Sequence, residues 1–351
     1  TRNPLSIGSL FERDGQALPT LLRITATSQF LADWLVRDPE AFDLLRLTEG
    51  QPVSRAALTE DICASVAPID DIRIVTKILS GYRQREILRI AYGDIIRGQD
   101  LETVTAQISF LADAIIEAAV QSAWKFQGAK RGVPRRSGRR RARFVVLALG
   151  KLGGLELNYS SDIDLIFLSE GDGKTDGERA VDNSEFFDRL AQQVVKLLTE
   201  STVFGTSYRV DLRLRPDGDQ GPVVRDYASA LRYYDVSGRT WERQAFVKAR
   251  PVAGDVALGT SFLEQLEPWI YRRYLSGADI AGIKALKRRI ENRAQLEGGD
   301  ERNLKTGEGG IRDIEFAIQF LQLLNDGDLK EVRTANTIQA ILRLDSVGCL
   351  T

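Results

Sequence analysis

Residues 144–168 read FVVLALGKLGGLELNYSSDIDLIFL, and the fold turns on how they are parsed. Residues 144–149 are six consecutive apolar side chains ended by glycine, the pattern of a strand buried on both faces. Gly150, Gly153 and Gly154 then make a glycine-rich turn. Leu165-Ile166-Phe167-Leu168 reads as a second buried strand, and Ser161-Asp162-Ile163-Asp164 stands at its start. Residues two apart on a strand share a face, so Asp162 and Asp164 can share a cation.

Downstream, a loop rich in Gly and Asp (171–182) leads to a helix capped near Asn183 or Ser184, which buries Phe187, Leu190, Val194 and Leu197 or Leu198. Residues 208–215 alternate strictly: Val210, Leu212 and Leu214 face one way, Asp211, Arg213 and Arg215 the other. That spacing predicts a third strand with an apolar and a charged side. Upstream, the first 125 residues carry helical spacing. Ile72, Val75, Ile78, Leu79 and Tyr82, then Ile87, Ile90 and Ile95, mark a helix over 71–97. A further helix covers 103–124, and an earlier one starts at Thr27 or Ser28 and stops before Pro39. Beyond about residue 260 helices return, one marked by Ile283, Leu286 and Ile290, another by Ile311, Ile314, Ile318 and Leu321. The expected fold is α+β: a helical region over 1–124, a basic linker over 125–143, a small mixed-sheet domain over 144–260, and a truncated helical bundle over 261–351.

Composition narrows the chemistry. Among 351 residues there is no histidine and no methionine. Ser-His-Asp and Cys-His catalysis, His-ligated zinc and an imidazole base are excluded. The missing initiator Met points to a fragment, a processed form or an edited sequence. Lys and Arg number 48 against 49 Asp and Glu, for a net charge of −1, so nothing draws the whole chain to nucleic acid or an anionic membrane. Nine Lys/Arg and no acid fall between Lys125 and Arg143, read as a solvated linker rather than a phosphate-binding arm. Cys63 and Cys349 make no disulfide framework. No continuous apolar run approaches ~18 residues and no signal-peptide pattern opens the chain, so the expectation is a cytoplasmic protein without membrane or nucleic-acid partners.

What chemistry remains runs on carboxylates, Lys/Arg and metal ions. Asp162, Asp164 and Asp211 form a candidate carboxylate set for Mg²⁺ or Mn²⁺, which prefer hard oxygen ligands and keep positions open for phosphate oxygens. Two such ions, roughly 3.5–4 Å apart, clamp the attacking and leaving oxygens of an in-line displacement. The turn Gly150-Lys151-Leu152-Gly153-Gly154 lets a phosphate approach the backbone closely. Arg213, Arg215, Lys248 and Arg250 are candidates to neutralise phosphate charge, with surface ion pairing as the plain alternative.

At these residues a resemblance emerges. The stretch LGKLGGLELNYSSDIDLIFL from Leu149 resembles the signature of glutamine synthetase adenylyltransferase, the bifunctional adenylyl-transferring and adenylyl-removing enzyme of the polymerase-β-like nucleotidyltransferase superfamily. RVDLRLRPDGDQGP from Arg209, GRTWERQAFVKARPVAGD from Gly238 and GGIRDIEFAIQFLQL from Gly309 look like the same family. The phrases SSDIDLIF and GGIRDIEF look more like its N-terminal half. The resemblance implies a polymerase-β-like domain over 144–260, with Asp162, Asp164 and Asp211 as metal ligands and Gly150, Gly153, Gly154 and Ser161 shaping the phosphate turn. It also implies removal of AMP from a tyrosine of glutamine synthetase by phosphorolysis, giving ADP. ATP or ADP and phosphate would be substrates or products, and glutamine synthetase and a PII-type signal protein the partners. Forward adenylyl transfer from ATP, or a docking module with a silent site, are the alternatives.

Overall fold

The computed structural model describes residues 11–39, 41–137, 140–272 and 310–350, with Gly277 and Ala281. The chain divides into two compact units: Thr1–Ser122, Leu157–Ser160 and Leu197–Ser207 form one, and Ala123–Glu156, Ser161–Lys196 and Tyr208–Thr351 the other.

The first unit is helical. It holds α1 (Ala17–Thr27), α2 (Gln29–Arg37), α3 (Ala41–Thr48), α4 (Arg55–Val66), α5 (Ile72–Ile95) and α6 (Leu101–Arg131) up to Ser122. Starts are set by side-chain caps: Ser28 accepts from Leu31 N–H, Ser54 from Ala57 N–H, and Asp71 from Arg73 N–H at 2.8 Å. The three-and-four spacing of α5 buries Val75, Leu79, Tyr82, Ile87 and Ile90, as its sequence pattern predicts. Helix α6 is long and apolar enough to cross a membrane by length and composition, but Ile108, Leu111, Ala112, Ile115 and Ala119 are buried within the protein.

The second unit is built on a mixed sheet of β2 (Phe144–Leu149), β3 (Ile163–Ser169), β5 (Val210–Asp211), β6 (Val224–Asp226) and β7 (Arg250–Gly254), after β1 (Pro134–Arg135) and β4 (Lys174–Thr175) pair apart from it. Strand β2 lies antiparallel between β3 and β7, while β5 and β6 both run parallel to β3. The two faces explain the unbroken apolar run. Val145, Leu147 and Leu149 enter one core with Ile166, Leu168, Tyr234, Phe246 and Phe262. Phe144 stacks on Phe167 and Phe187, each at 5.8 Å, on the other. Phe187 belongs to α8 (Asn183–Thr199), which follows the short α7 (Gly150–Gly153). Helices α9 (Tyr227–Ser237), α10 (Thr240–Phe246), α11 (Val256–Ile270), α12 (Ile311–Asn325) and α13 (Thr337–Ser346) complete the described part. The architecture is α+β. The helix expected around Ile283, Leu286 and Ile290 lies outside the described residues.

Two expectations change in the structure. The strand expected over 208–215 is only two residues long, because the Asp211 carboxylate captures the Arg213 N–H at 2.8 Å and turns the backbone out of the ladder. The basic stretch expected as a linker is folded over much of its length. It continues α6 to Arg131, and Pro134–Arg135 pairs with Lys174–Thr175. Several of its cations have partners inside the unit: Arg135 on Asp176, Arg136 and Arg143 on Glu170, and Arg141 over the Trp124 ring.

Candidate functional site

Strand register builds the site. Asp164 is the cross-strand partner of Leu149 on one side and of Asp211 on the other. Parallel neighbours in register share a face, so the Asp164 and Asp211 side chains stand next to each other. Leu149 is the last residue of β2, and the turn that follows passes directly over Asp164. Gly150 has φ +55°, and a Cβ there would run into Asp164 Oδ2. Only glycine allows that approach without strain. Asp162 lies one residue before β3, two residues from Asp164.

Each flanking carboxylate has an arginine. The Arg209 guanidinium pairs with Asp162, and both side chains are exposed (70% and 51%). Arg213 Nε lies 3.0 Å from both Asp211 oxygens and itself is 67% exposed, while Asp211 is 16% exposed. Hydrogen bonds from the Arg213 side chain hold the Asp211 carboxyl below the usual carboxylate range, against the opposing effect of partial burial. Asp162, Asp164 and Asp211 are all-oxygen donors suited to a hard cation. Among the described residues, no group of three or more His, Cys, Asp or Glu side chains is placed to hold a metal ion, so the three aspartates expected as one ligand set are not assembled as such here.

The remaining candidates separate into two sets. Lys151 and Ser161 are partly exposed beside the turn and the aspartates, while Gly153 and Gly154 are buried in the turn itself. Arg215 is buried, and its guanidinium holds its own loop, donating to Leu212 O at 2.8 Å and approaching Asp219 at 3.5 Å. Lys248 is also buried, with its ammonium on Glu156 and Thr337 Oγ1. Arg250 donates to the carbonyls of Gly153 and Leu152 at 3.2 and 3.0 Å. Lys248 and Arg250 thus support the glycine turn from behind, and Asp164 lies under it with Asp211 beside Asp164 on the next strand.

Arg209, Glu156 and Thr337 were not singled out by the sequence. Arg209 had a legible signal, since it extends the alternation of Asp211, Arg213 and Arg215 by one step. Glu156 and Thr337 had none, because their pairing spans 181 residues of chain.

A glycine turn leaving one strand, over a carboxylate of the next strand with a second carboxylate beside it on the strand beyond, is an arrangement suited to nucleotidyl transfer, and the family match places the chain among the nucleotidyltransferases. The model of the glutamate-ammonia ligase adenylyltransferase family matches residues 18–265, and the chain belongs to that family. A model described as PII-uridylyltransferase matches residues 283–351. The chain is 40% identical over 324 residues to a protein of Thioalkalivibrio sulfidiphilus, covering 90% of this chain and 33% of that protein. It is 39% identical over 342 residues to one of Pseudomonas aeruginosa (95% and 34% covered), and 37% identical over 339 residues to one of Hahella chejuensis (95% and 35% covered). All three are named bifunctional glutamine synthetase adenylyltransferase/adenylyl-removing enzyme. The chain spans about a third of the length of these relatives.

Proposed function

We propose that this chain, as the adenylyl-removing half of such a bifunctional enzyme, takes AMP off a tyrosine of glutamine synthetase by phosphorolysis in the control of nitrogen assimilation. The observation that carries the reading is the register of Asp164 beside Asp211 beneath Gly150, in a chain whose relatives bear both activities in their names. A phosphate oxygen attacks the α-phosphorus, the bond to the tyrosine oxygen breaks on the opposite side, and the products are ADP and unmodified tyrosine. The attacking phosphate is already anionic at neutral pH, so no protein base is needed, which suits a chain without histidine.

The glycine turn admits the phosphoryl group close to the backbone. Arg209 and Arg213, whose side chains are mostly exposed, swing from their aspartates to phosphate oxygens as the substrate enters. Lys151 and Ser161 line the same approach. Mg²⁺ or Mn²⁺, two ions in this reading, would be held by Asp162, Asp164 and Asp211 and would supply charge neutralisation at the attacking and leaving oxygens. The partners are glutamine synthetase and a PII-type signal protein, the latter supported by the similarity of residues 283–351 to PII-uridylyltransferase. The setting is cytoplasmic.

The test supplies adenylylated glutamine synthetase with phosphate and follows ADP. In parallel, ATP is supplied with unmodified glutamine synthetase and pyrophosphate is followed. ADP in the first arm is the expected result. Pyrophosphate alone would assign the chain to forward transfer, and neither product would make it a docking module.

A further inference from the structure

The glycine turn is gripped from outside itself. Arg250 takes the carbonyls of Leu152 and Gly153, and Asn336 Nδ2 takes that of Gly154 at 3.2 Å. Packing is tight on the same side. A Cβ at Gly153 would strike the Lys248 carbonyl, and one at Gly154 would lie 2.7 Å from the Ala335 carbonyl. At the exit of the turn, Glu156 closes the grip. Its Oε1 accepts from the Lys248 ammonium and from Thr337 Oγ1 (2.9 Å), and its Oε2 accepts from the Thr337 N–H (2.9 Å). Lys248 and Glu156 are 4% and 14% exposed, and Glu315 lies 4.0 Å from the same ammonium. Asn336 has two tasks: its Oδ1 caps α13 by accepting from Gln339 N–H at 3.1 Å while its amide group holds the turn.

We propose that Glu156, Lys248 and Thr337 are positioning residues, a clamp that fixes the glycine turn over Asp164 and so sets where the transferred phosphoryl group sits. None of the three touches the reacting atoms. The clamp joins two separately matched segments, since Glu156 and Lys248 lie within 18–265 and Thr337 within 283–351. Residues near the C-terminal end are thereby part of the transfer site, and α12, through Glu315, is coupled to the same ammonium. A buried ion pair adds little net stability over apolar replacements of similar volume, and here its hydrogen bonds fix Glu156 against Thr337. The proposal rests on the nucleotidyl-transfer reading for its consequence, though not for the grip itself.

The experiment uses the full chain and two readouts. Amide hydrogen exchange over residues 150–156, measured without substrate, reports the grip. The kcat and KM of adenylyl removal report its consequence. Thr337→Val removes the hydroxyl at nearly constant volume. It is expected to speed exchange at 150–156 about tenfold. It is also expected to lower kcat about tenfold, the scale of a displacement well under 1 Å, with KM for glutamine synthetase unchanged. Thr337→Ser should restore both. Should Thr337→Val fail to fold, the double variant Glu156→Gln with Lys248→Met removes both charges at once. A drop in its kcat with an unchanged urea midpoint supports the clamp. Wild-type exchange at 150–156 in Thr337→Val, no rescue by serine, or wild-type kcat in the double variant overturns it. Exchange that quickens in a chain with no transfer activity in either direction would leave the clamp standing and sink the functional reading alone.

Discussion

Two sets of ion pairs flank the same glycine turn, and they differ in burial. In front, Arg209–Asp162 and Arg213–Asp211 are pairs whose arginines are mostly exposed; behind, Lys248–Glu156 is almost sealed. An exposed pair contributes about 0–1 kcal/mol and exchanges partners readily. A buried pair that loses one member leaves an uncompensated charge, at about 3–5 kcal/mol. The front pairs are therefore suited to give way to a ligand, and the rear pair to hold still while they do.

The largest effect should follow from breaking the front at its centre. Asp164→Asn is expected to lower adenylyl removal by about a thousandfold or more while leaving the melting temperature near that of the parent, since removing a group that acts on the reacting phosphates costs this order. Parent-like activity in that variant would break the assignment. Next comes the rear: Lys248→Met alone should destabilise the chain by about 3–5 kcal/mol in urea titration, through the unpaired Glu156. A loss below about 1 kcal/mol would place this pair with the exposed ones.

A third carboxylate sharpens the comparison. Asp326, at the end of α12, is fully buried where Glu156 keeps a little exposure, and neither of its side-chain oxygens has a hydrogen-bond partner among the described residues. Burial pushes its pKa up to about 7, with Arg333 and Arg243 pulling the other way. The folded chain therefore binds this proton more tightly than the unfolded one, whose aspartate titrates near ~3.9. The stability it permits is present below about pH 4 and is lost as pH rises towards 7. Asp326→Asn should raise the melting temperature at pH 8 and raise it less at pH 5; an equal gain at both would show that the charge is not the cause. The smallest effect belongs to Arg209→Ala, expected to stay within about 0.5 kcal/mol of the parent in stability while KM for phosphate rises.

The sequence was most legible where local pattern and tertiary role coincide. The run from Phe144 to Leu149 reads as a two-faced buried strand because both faces meet aromatic or aliphatic cores, and the helix starts near Ser28 and Asp71 were legible because what sets them is a local bond. Alternation over 208–215 misled because Asp211 spends its carboxylate on Arg213 N–H, a competition that hydrophobic periodicity does not register. The basic stretch after Lys125 looked like a linker for a related reason: the acids that pair with it, Glu170 and Asp176, lie 27 to 41 residues away. In the candidate site, Asp162, Asp164 and Gly150 could be named from one short stretch. The partners that bury Lys248 could not, since Glu156 is 92 residues distant and Thr337 is 89.

The most direct measurement of the central claim is product identity under single-turnover conditions. Glutamine synthetase carrying labelled AMP is mixed with phosphate, a divalent cation and either the parent chain or Asp164→Asn. The account predicts labelled ADP from the parent and none from the variant. Labelled AMP retained on glutamine synthetase with the parent, or ADP formed equally by both proteins, would contradict it.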